Sequence, residues 1–537
     1  MPLHQFFFYI TLILLPTQLG FHFWPDWAMV LGRRLDYLAP TIFLTDITML
    51  LTFCSWLALL SSKHQLSFRS EPVPSIPEGS RNLGLRSRVK PGMTNNQVRH
   101  DKLFLVISLV PLVGFIVLNI SFASSPIVAF SKWLKVFEFV LFGFYIIKTR
   151  PSFSRALWCL SVAILYSSII AIAQFFLQHS VGGLLWFLGE RTFDITTPGI
   201  ARAQFFPFII SNSREILRAY ATFPHPNVFG GFLAIGLPLV STLLIKHQRI
   251  TNLYEFTNAF RILRILRKLR GSENQRIRKS DISDYSDASD IPHFRKSEYS
   301  EFSEQFVGLI RNSMIIYLWL VMLAGIPALF FTFSRSAWIA FIILFLILKF
   351  KDWELFRNWK LEIRNLLPLV GFMALLGFFL LPYFKTMTLD SESVFVRNEL
   401  NSAAISMIFP SFNELSTINY EHIFVGVGLG NFLVELPKYY PHRDIFFLQP
   451  IHNIFLLVLS ETGVIGFILF CWLISSIYLN KELKIKNYGI TQKFPLSIIH
   501  YSLFIILLLG LVDHYPLTLQ QGQLLFTFLV AFAAISM

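Results

Sequence analysis

The chain has 537 residues, of which 54 % are hydrophobic, 16 % aromatic and only 15 % charged, against about a quarter charged in an ordinary soluble domain. Its formal charge of +14 sits mostly in a few loops between apolar stretches. That pattern is the positive-inside rule of membrane proteins, and it excludes a nucleic-acid partner as the reason for the basic balance.

Apolar stretches occur at residues 3–20, 41–60, 103–122, 129–147, 156–177, 227–245, 313–332, 336–350, 366–383, 453–478, 496–512 and 518–536. Most are long enough to cross about 30 Å of hydrocarbon. No alternating strand pattern of the outer-membrane type accompanies them, so they are read as helices. The predicted fold is all-α, a polytopic membrane protein of about twelve transmembrane helices. Residues 1–20 lack a basic n-region and a small-residue cleavage site, which reads as a retained first helix. Cys54, Cys159 and Cys471 fall inside apolar spans with no metal-ligand spacing, so neither a disulfide framework nor a bound metal is expected.

Basic residues cluster in 61–102, 148–155, 246–312, 349–364 and 481–493. All five segments fall on one side if the N-terminus is cytoplasmic. Within the longest, 261–270 is a basic amphipathic stretch suited to anionic lipid headgroups, and 272–303 is polar enough to be disordered. The opposite side receives 21–40, 178–226 and the segment 385–451, whose acidic balance, aromatics and glycines suggest a folded cap. Arg33 and Arg34 break the charge rule there, offset by Asp26 and Asp36. The predicted organisation is an N-terminal set of helices over 1–200, a core over 201–480 and two last helices over 481–537.

Several polar groups interrupt this apolar frame. Lys132, Lys135 and Glu138 interrupt the fourth span, and Lys135 with Glu138 stand one helical turn apart, as an internal ion pair would, with substrate contact as the alternative role. Three motifs then recur at the starts of helices descending from the external side. The first is Arg218-Ala-Tyr-Ala-Thr-Phe-Pro-His225-Pro226-Asn227, with Pro226 suited to the first helical position. The second is Ser334-Arg335-Ser336-Ala-Trp338 in a short hairpin, where Ser334 can cap the next helix but Arg335 opposes the charge rule. The third is Gln449-Pro450-Ile-His452-Asn453. Helix N-termini carry partial positive charge and free N–H groups, so three converging ones favour an anion. Arg218 and Arg335 add fork-shaped cations suited to phosphate oxygens, and His452 a group able to take a proton near neutral pH. Together these residues predict a site for a phosphate-bearing ligand at the outer interface.

Glu461 lies nine residues beyond His452 and faces the opposite side of a regular helix. The stretch Gly426-Val-Gly428-Leu-Gly430-Asn431 reads as a tight turn, since no Lys-Ser/Thr follows it. Asp513-His514-Tyr515-Pro516 reads first as a hairpin cap, with a sugar-facing polar lip at 520–523 as the alternative.

The order Arg-x(6)-His-Pro-Asn, Ser-Arg-Ser-Ala-Trp, Gly-Val-Gly-x-Gly-Asn-Phe and His-Asn-x(7)-Glu-x-Gly-x-x-Gly resembles the O-antigen ligase and polymerase family of bacterial membrane glycosyltransferases. The resemblance covers about residues 200–475. It implies a fold like the lipid-sugar (GT-C class) transferases, with 385–451 as the large external loop. It also implies an undecaprenyl-diphosphate-linked oligosaccharide as donor, a glycan, lipid or protein acceptor, and an inverting reaction without cofactor or metal; no feature of the sequence identifies a lipid A core as the acceptor. Carried over by motif, His452 is the candidate base, and Arg218 and Arg335 hold the donor diphosphate. Arg397, His225, Asn227, Ser334 and Asn453 are further candidates for substrate contact. The long insertion at 246–312 departs from the family pattern. The rival reading is a transporter or flippase for a lipid-linked or anionic solute, which would need ionisable residues along a path and a helix broken within the membrane.

Overall fold

The computed structural model describes residues 1–68, 110–205, 214–245, 293–351, 391–409, 420–439, 448–485 and 490–535. The described chain is mostly helical. Its helices are α1 (Leu3–Ile13), α2 (Leu44–Phe68), α3 (Val110–Ser121), α4 (Pro126–Thr149), α5 (Phe153–Leu177), α6 (Pro226–Ile245), α7 (His293–Phe331) and α8 (Arg335–Lys351). They continue with α9 (Ser391–Ile408), α10 (Tyr420–Val425), α11 (Phe432–Tyr439), α12 (Ile454–Ile485), α13 (Ile490–Leu509), α14 (Tyr515–Thr518) and α15 (Gln520–Ile535).

A helix lies on every predicted span except 366–383, which is outside the described residues, as are 69–109, 246–292 and 352–390. Among the described residues five helices are long and apolar enough to cross a membrane: α2, α5, α6, the second half of α7 and α12. The first predicted span is corrected. α1 ends at Ile13, three residues before Pro16, whose ring cannot continue a helix.

Packing separates central from peripheral helices. In the apolar window of α6, 83 % of residues are buried, against 22 % in α2, so α6 runs through the middle of the bundle. Apolar side chains such as Leu50 on α2, Phe137 on α4, Leu323 on α7 and Trp472 on α12 stay exposed. Such faces suit lipid, because acyl chains are as apolar as the side chains themselves. The main core joins α1, α4, α5, α6, α7, α8, α13 and α15 around Phe142, Tyr145, Phe229, Phe232 and Phe528.

A second, smaller core lies at one end of the bundle. It joins Ala28, Val30 and Leu38 of the segment between α1 and α2 to Leu400, Ala404 and Met407 of α9, Phe432 and Leu436 of α11, and Ile451. The predicted cap is thus seen in the described parts of 385–451, and it shares its core with the loop between α1 and α2. That loop folds on short antiparallel pairs: β1 (Gly20–His22) with β4 (Thr41–Phe43), and β2 (Met29–Val30) with β3 (Arg33–Arg34). A third pair, β5 (Arg202–Phe205) with β6 (Arg214–Leu217), precedes α6.

The glycine motif is a turn that ties the cap to the bundle. Gly426, Gly428 and Gly430 all have positive φ, which only glycine adopts without strain. The amides of Val427 and Gly428 donate to the carbonyls of Ser460 (2.9 Å) and Glu461 (3.1 Å) in α12. Asn119 at the end of α3 adds two bonds, to the carbonyls of Val425 (2.6 Å) and Glu461 (2.9 Å). At this level α12 is interrupted at Gly463, whose backbone is not helical.

Candidate functional site

The three motifs meet at the capped end of the bundle. Pro226 opens α6, and the His225 carbonyl accepts from the amides of Val228 and Phe229. Ser334 stands before α8, its carbonyl accepting from the Trp338 amide at 3.0 Å, while its hydroxyl lies 3.4 Å from that of Ser336. Asn453 caps α12: its side-chain oxygen accepts from the amides of Phe455 (2.9 Å) and Leu456 (3.2 Å). That bond pattern is a helix cap, so the Asn453 oxygen is occupied by backbone.

Arg218 stitches the first two motifs together. Its Nε donates to the Thr332 carbonyl at 2.7 Å and its Nη2 to the Asn227 side-chain oxygen at 2.6 Å. Because Asn227 accepts from Arg218 with its oxygen, its Nδ2 is turned outward, and it donates to Asp513 Oδ2 at 3.0 Å. Asp513 sits in the hairpin between α13 and α14 and is buried. With Thr332 at its other end, this chain of Arg218, Asn227 and Asp513 joins three regions far apart in sequence.

Three imidazoles surround Asp513: His225, His452 and His514 all lie within its electrostatic reach. His514 packs edge-on against His452, with ring centroids 5.2 Å apart, and against Tyr37 at 5.4 Å. Its Nδ1 is 2.6 Å from the Thr518 hydroxyl. His225 Nδ1 accepts from the Asn227 amide at 3.1 Å. His452 differs from both. Its Nδ1 is buried with no hydrogen-bond partner among the described residues, a condition that calls for an explanation such as a catalytic role or a bound water.

Burial sets the charge state of the cluster. It disfavours imidazolium, and it pushes His514 down to about 4 against the pull of Asp513. It lowers His225 as well, with Arg218 adding to the effect. His452 is also lowered, by burial first, while Asp513 opposes the shift and Arg397 adds to it. For Asp513 burial favours the neutral acid, but the three imidazoles and the Asn227 amide outweigh it and hold the carboxylate below its usual range. Near neutral pH the cluster is therefore one carboxylate ringed by neutral imidazoles.

A cavity of about 1050 Å³ opens beside this cluster. His225, Asn227, His452, Asp513 and His514 line it, with Gln449 and Pro450 of the third motif. Further in, it is bounded by Lys132, Lys135 and Glu138 of α4, Asp46 of α2 and Glu461 of α12. The expected ion pair is present: Lys135 Nζ lies 3.0 Å from Glu138 and 2.5 Å from Asp46. Arg218, Arg335, Arg397, Ser334 and Asn453 are not among the residues lining the cavity. Arg335 is half-buried at the start of α8 and has no hydrogen bond or ion pair among the described residues. Among those residues no group of three or more His, Cys, Asp or Glu is arranged to hold a metal ion.

The sequence did not single out Asp513, Lys132 or Arg191 as site residues. Asp513-His514 had a local explanation as a hairpin cap, and its partner Asn227 is 286 positions away. Arg191 lines the cavity and donates to the Pro224 carbonyl at 3.4 Å.

Several apolar helices, a polar cluster at one end of them and a large cavity beneath it define a multi-pass membrane protein with an enclosed polar site. Residues 320–471 match the O-antigen ligase family model, the family that the motifs resemble. The matched stretch runs from within α7 to within α12, including Arg335, Arg397 and His452 but neither His225 nor Asp513. No curated protein and no solved structure matches the chain.

Proposed function

We propose that this protein is a membrane glycosyltransferase that moves or polymerises a glycan from an undecaprenyl-diphosphate carrier onto an acceptor hydroxyl at the extracytoplasmic face. The observation that carries the proposal is His452, with a buried, unpartnered ring nitrogen beside a carboxylate, on the wall of a cavity large enough for sugars. In the reaction the acceptor oxygen attacks the anomeric carbon of the donor sugar. Its proton passes to the His452 imidazole, and the bond to the diphosphate oxygen breaks, which inverts the anomeric centre. A diphosphate is already a good leaving group, so neither nucleotide nor metal is required if cations steady it. Arg335, within the matched domain, is the motif-based candidate for that task, though it stands at the start of α8 and does not line the cavity. Arg218 serves the same end by holding Asn227 and the α6 start in place.

The direct test uses purified full-length protein in nanodiscs with a polyprenyl-diphosphate-linked glycan and a hydroxyl acceptor. Transfer is expected without nucleotide and in the presence of a metal chelator; no transfer to any sugar, lipid or protein hydroxyl removes the proposal. Reporter fusions at Ser280 and Asn413 test the face, and they are expected to lie on opposite sides of the membrane. Finding both on one side refutes the topology.

One observation favours the rival reading of transport: α12 is broken at Gly463 beside Glu461 and near Lys132, as a solute path requires. The same nanodisc assay separates the two, because a transporter has no product to make there.

A further inference from the structure

The inner half of the cavity carries a cation that the mechanism above does not use. Among the described residues, Lys132, Lys135 and Arg191 are the Lys or Arg side chains that line the cavity. Lys135 is neutralised by Asp46 and Glu138. Arg191 is exposed and donates to a backbone carbonyl. Lys132 has neither a hydrogen bond nor an ion pair among the described residues.

The nearest acid charge does not explain it. Glu461 is within electrostatic reach of Lys132, but the two form no ion pair among the described residues. The lysine stem is deliberately accommodated. It crosses the turn at Gly430, where a Cβ would lie 2.5 Å from Lys132 Cγ. Only glycine, at φ +75°, leaves room for this stem. Lys132 stands six residues inside α4, about 9 Å below its start. An ammonium held at that depth without a partner is costly unless a ligand supplies the anion.

We infer that Lys132 is a substrate-binding residue whose ammonium takes a phosphate oxygen of a lipid-linked diphosphate donor. The inference rests on the glycosyl-transfer reading and names a contact that the family motifs do not. It places the charged end of the carrier between α4 and the glycine turn, with the sugar toward His452. The polyprenyl chain then leaves along the exposed apolar face of α4, which includes Leu134 and Phe137.

The test is binding by the full-length protein in nanodiscs, comparing a polyprenyl diphosphate with the polyprenol of equal length. Wild type is expected to prefer the diphosphate. Lys132→Met is expected to weaken diphosphate binding at least about tenfold, as loss of a charge-assisted bond should, and to leave the polyprenol unchanged. If wild type shows no preference, the glycosyl-transfer reading falls with this one. If wild type prefers the diphosphate and Lys132→Met does so equally, only the role of Lys132 is overturned. A second measurement needs no variant: acylation of Lys132 by an amine reagent, followed by mass spectrometry. Polyprenyl diphosphate is expected to slow it and polyprenol to leave it alone. Equal protection by phosphatidylglycerol would identify a lipid headgroup as the ligand and overturn the inference, as would the absence of protection.

Discussion

His452→Gln is expected to bind the lipid-linked donor almost normally and to transfer glycan at least about a hundredfold more slowly. General-base assistance is typically worth about 10² to 10⁴ in rate, and an amide cannot accept the hydroxyl proton. The substitution is conservative for packing, since the cap of α12 is made by Asn453 and not by His452. A purely structural His452 would therefore tolerate glutamine with little loss. The pH profile supplies an independent check. Burial and Arg397 lower the His452 pKa below its ordinary 6.5, with Asp513 limiting the shift. A lowered pKa keeps the imidazole neutral, hence able to act as base, further into acid. Transfer by wild type is thus expected to hold steady down through 6.5 and to fall only below it. If His452→Gln retains more than about a tenth of wild-type transfer, the base lies elsewhere, and His225 and His514 on the same cavity wall are the residues to test.

Local signals located most of the helices. Hydropathy located helices, five of them long and apolar enough to cross a membrane among the described residues; Pro226 and Asn453 marked the starts of α6 and α12, and the glycines of 426–430 marked a turn. The missed early end of α1 was also local, since Pro16 stands in plain sight. The cavity brought together His225, Asn227 and His452, each from a motif at a helix start. What the motifs could not show is how polar groups spend their hydrogen bonds. Arg218 read as a free cation, but its fork is directed at Thr332 and Asn227, the first of them 114 positions away. Asp513 read as a turn residue because nothing in its own neighbourhood needs a carboxylate. Lys132 and Lys135 look alike in the sequence, three residues apart on one helix. Only the fold shows that Lys135 meets Asp46 of α2, whereas Lys132 forms no ion pair among the described residues.

Asp513→Asn is expected to lower the rate of transfer by about 10- to 100-fold, part of the general-base contribution, with donor affinity little changed. The carboxylate does not touch the reacting atoms in this scheme; it is a positioning residue that acts through His452. It is fixed by the Asn227 amide at 3.0 Å, which is itself oriented by Arg218. Its charge favours the imidazolium that His452 becomes on taking the proton, since Asp513 raises the His452 pKa against burial. An asparagine fills the same space but removes that charge. With the opposing influence gone, burial and Arg397 act alone, and the His452 pKa must fall further. The imidazole becomes a weaker base, so the rate drops even where it is fully deprotonated. The acid limb of the pH profile is expected to move to lower pH in Asp513→Asn, while the plateau above it is reduced. A purely structural Asp513 would behave differently: the variant would lose thermal stability in detergent, and the surviving protein would show the wild-type limb. An unmoved acid limb with a normal plateau would therefore separate Asp513 from the chemistry, leaving its bond to Asn227 as a fastening between α6 and the last hairpin.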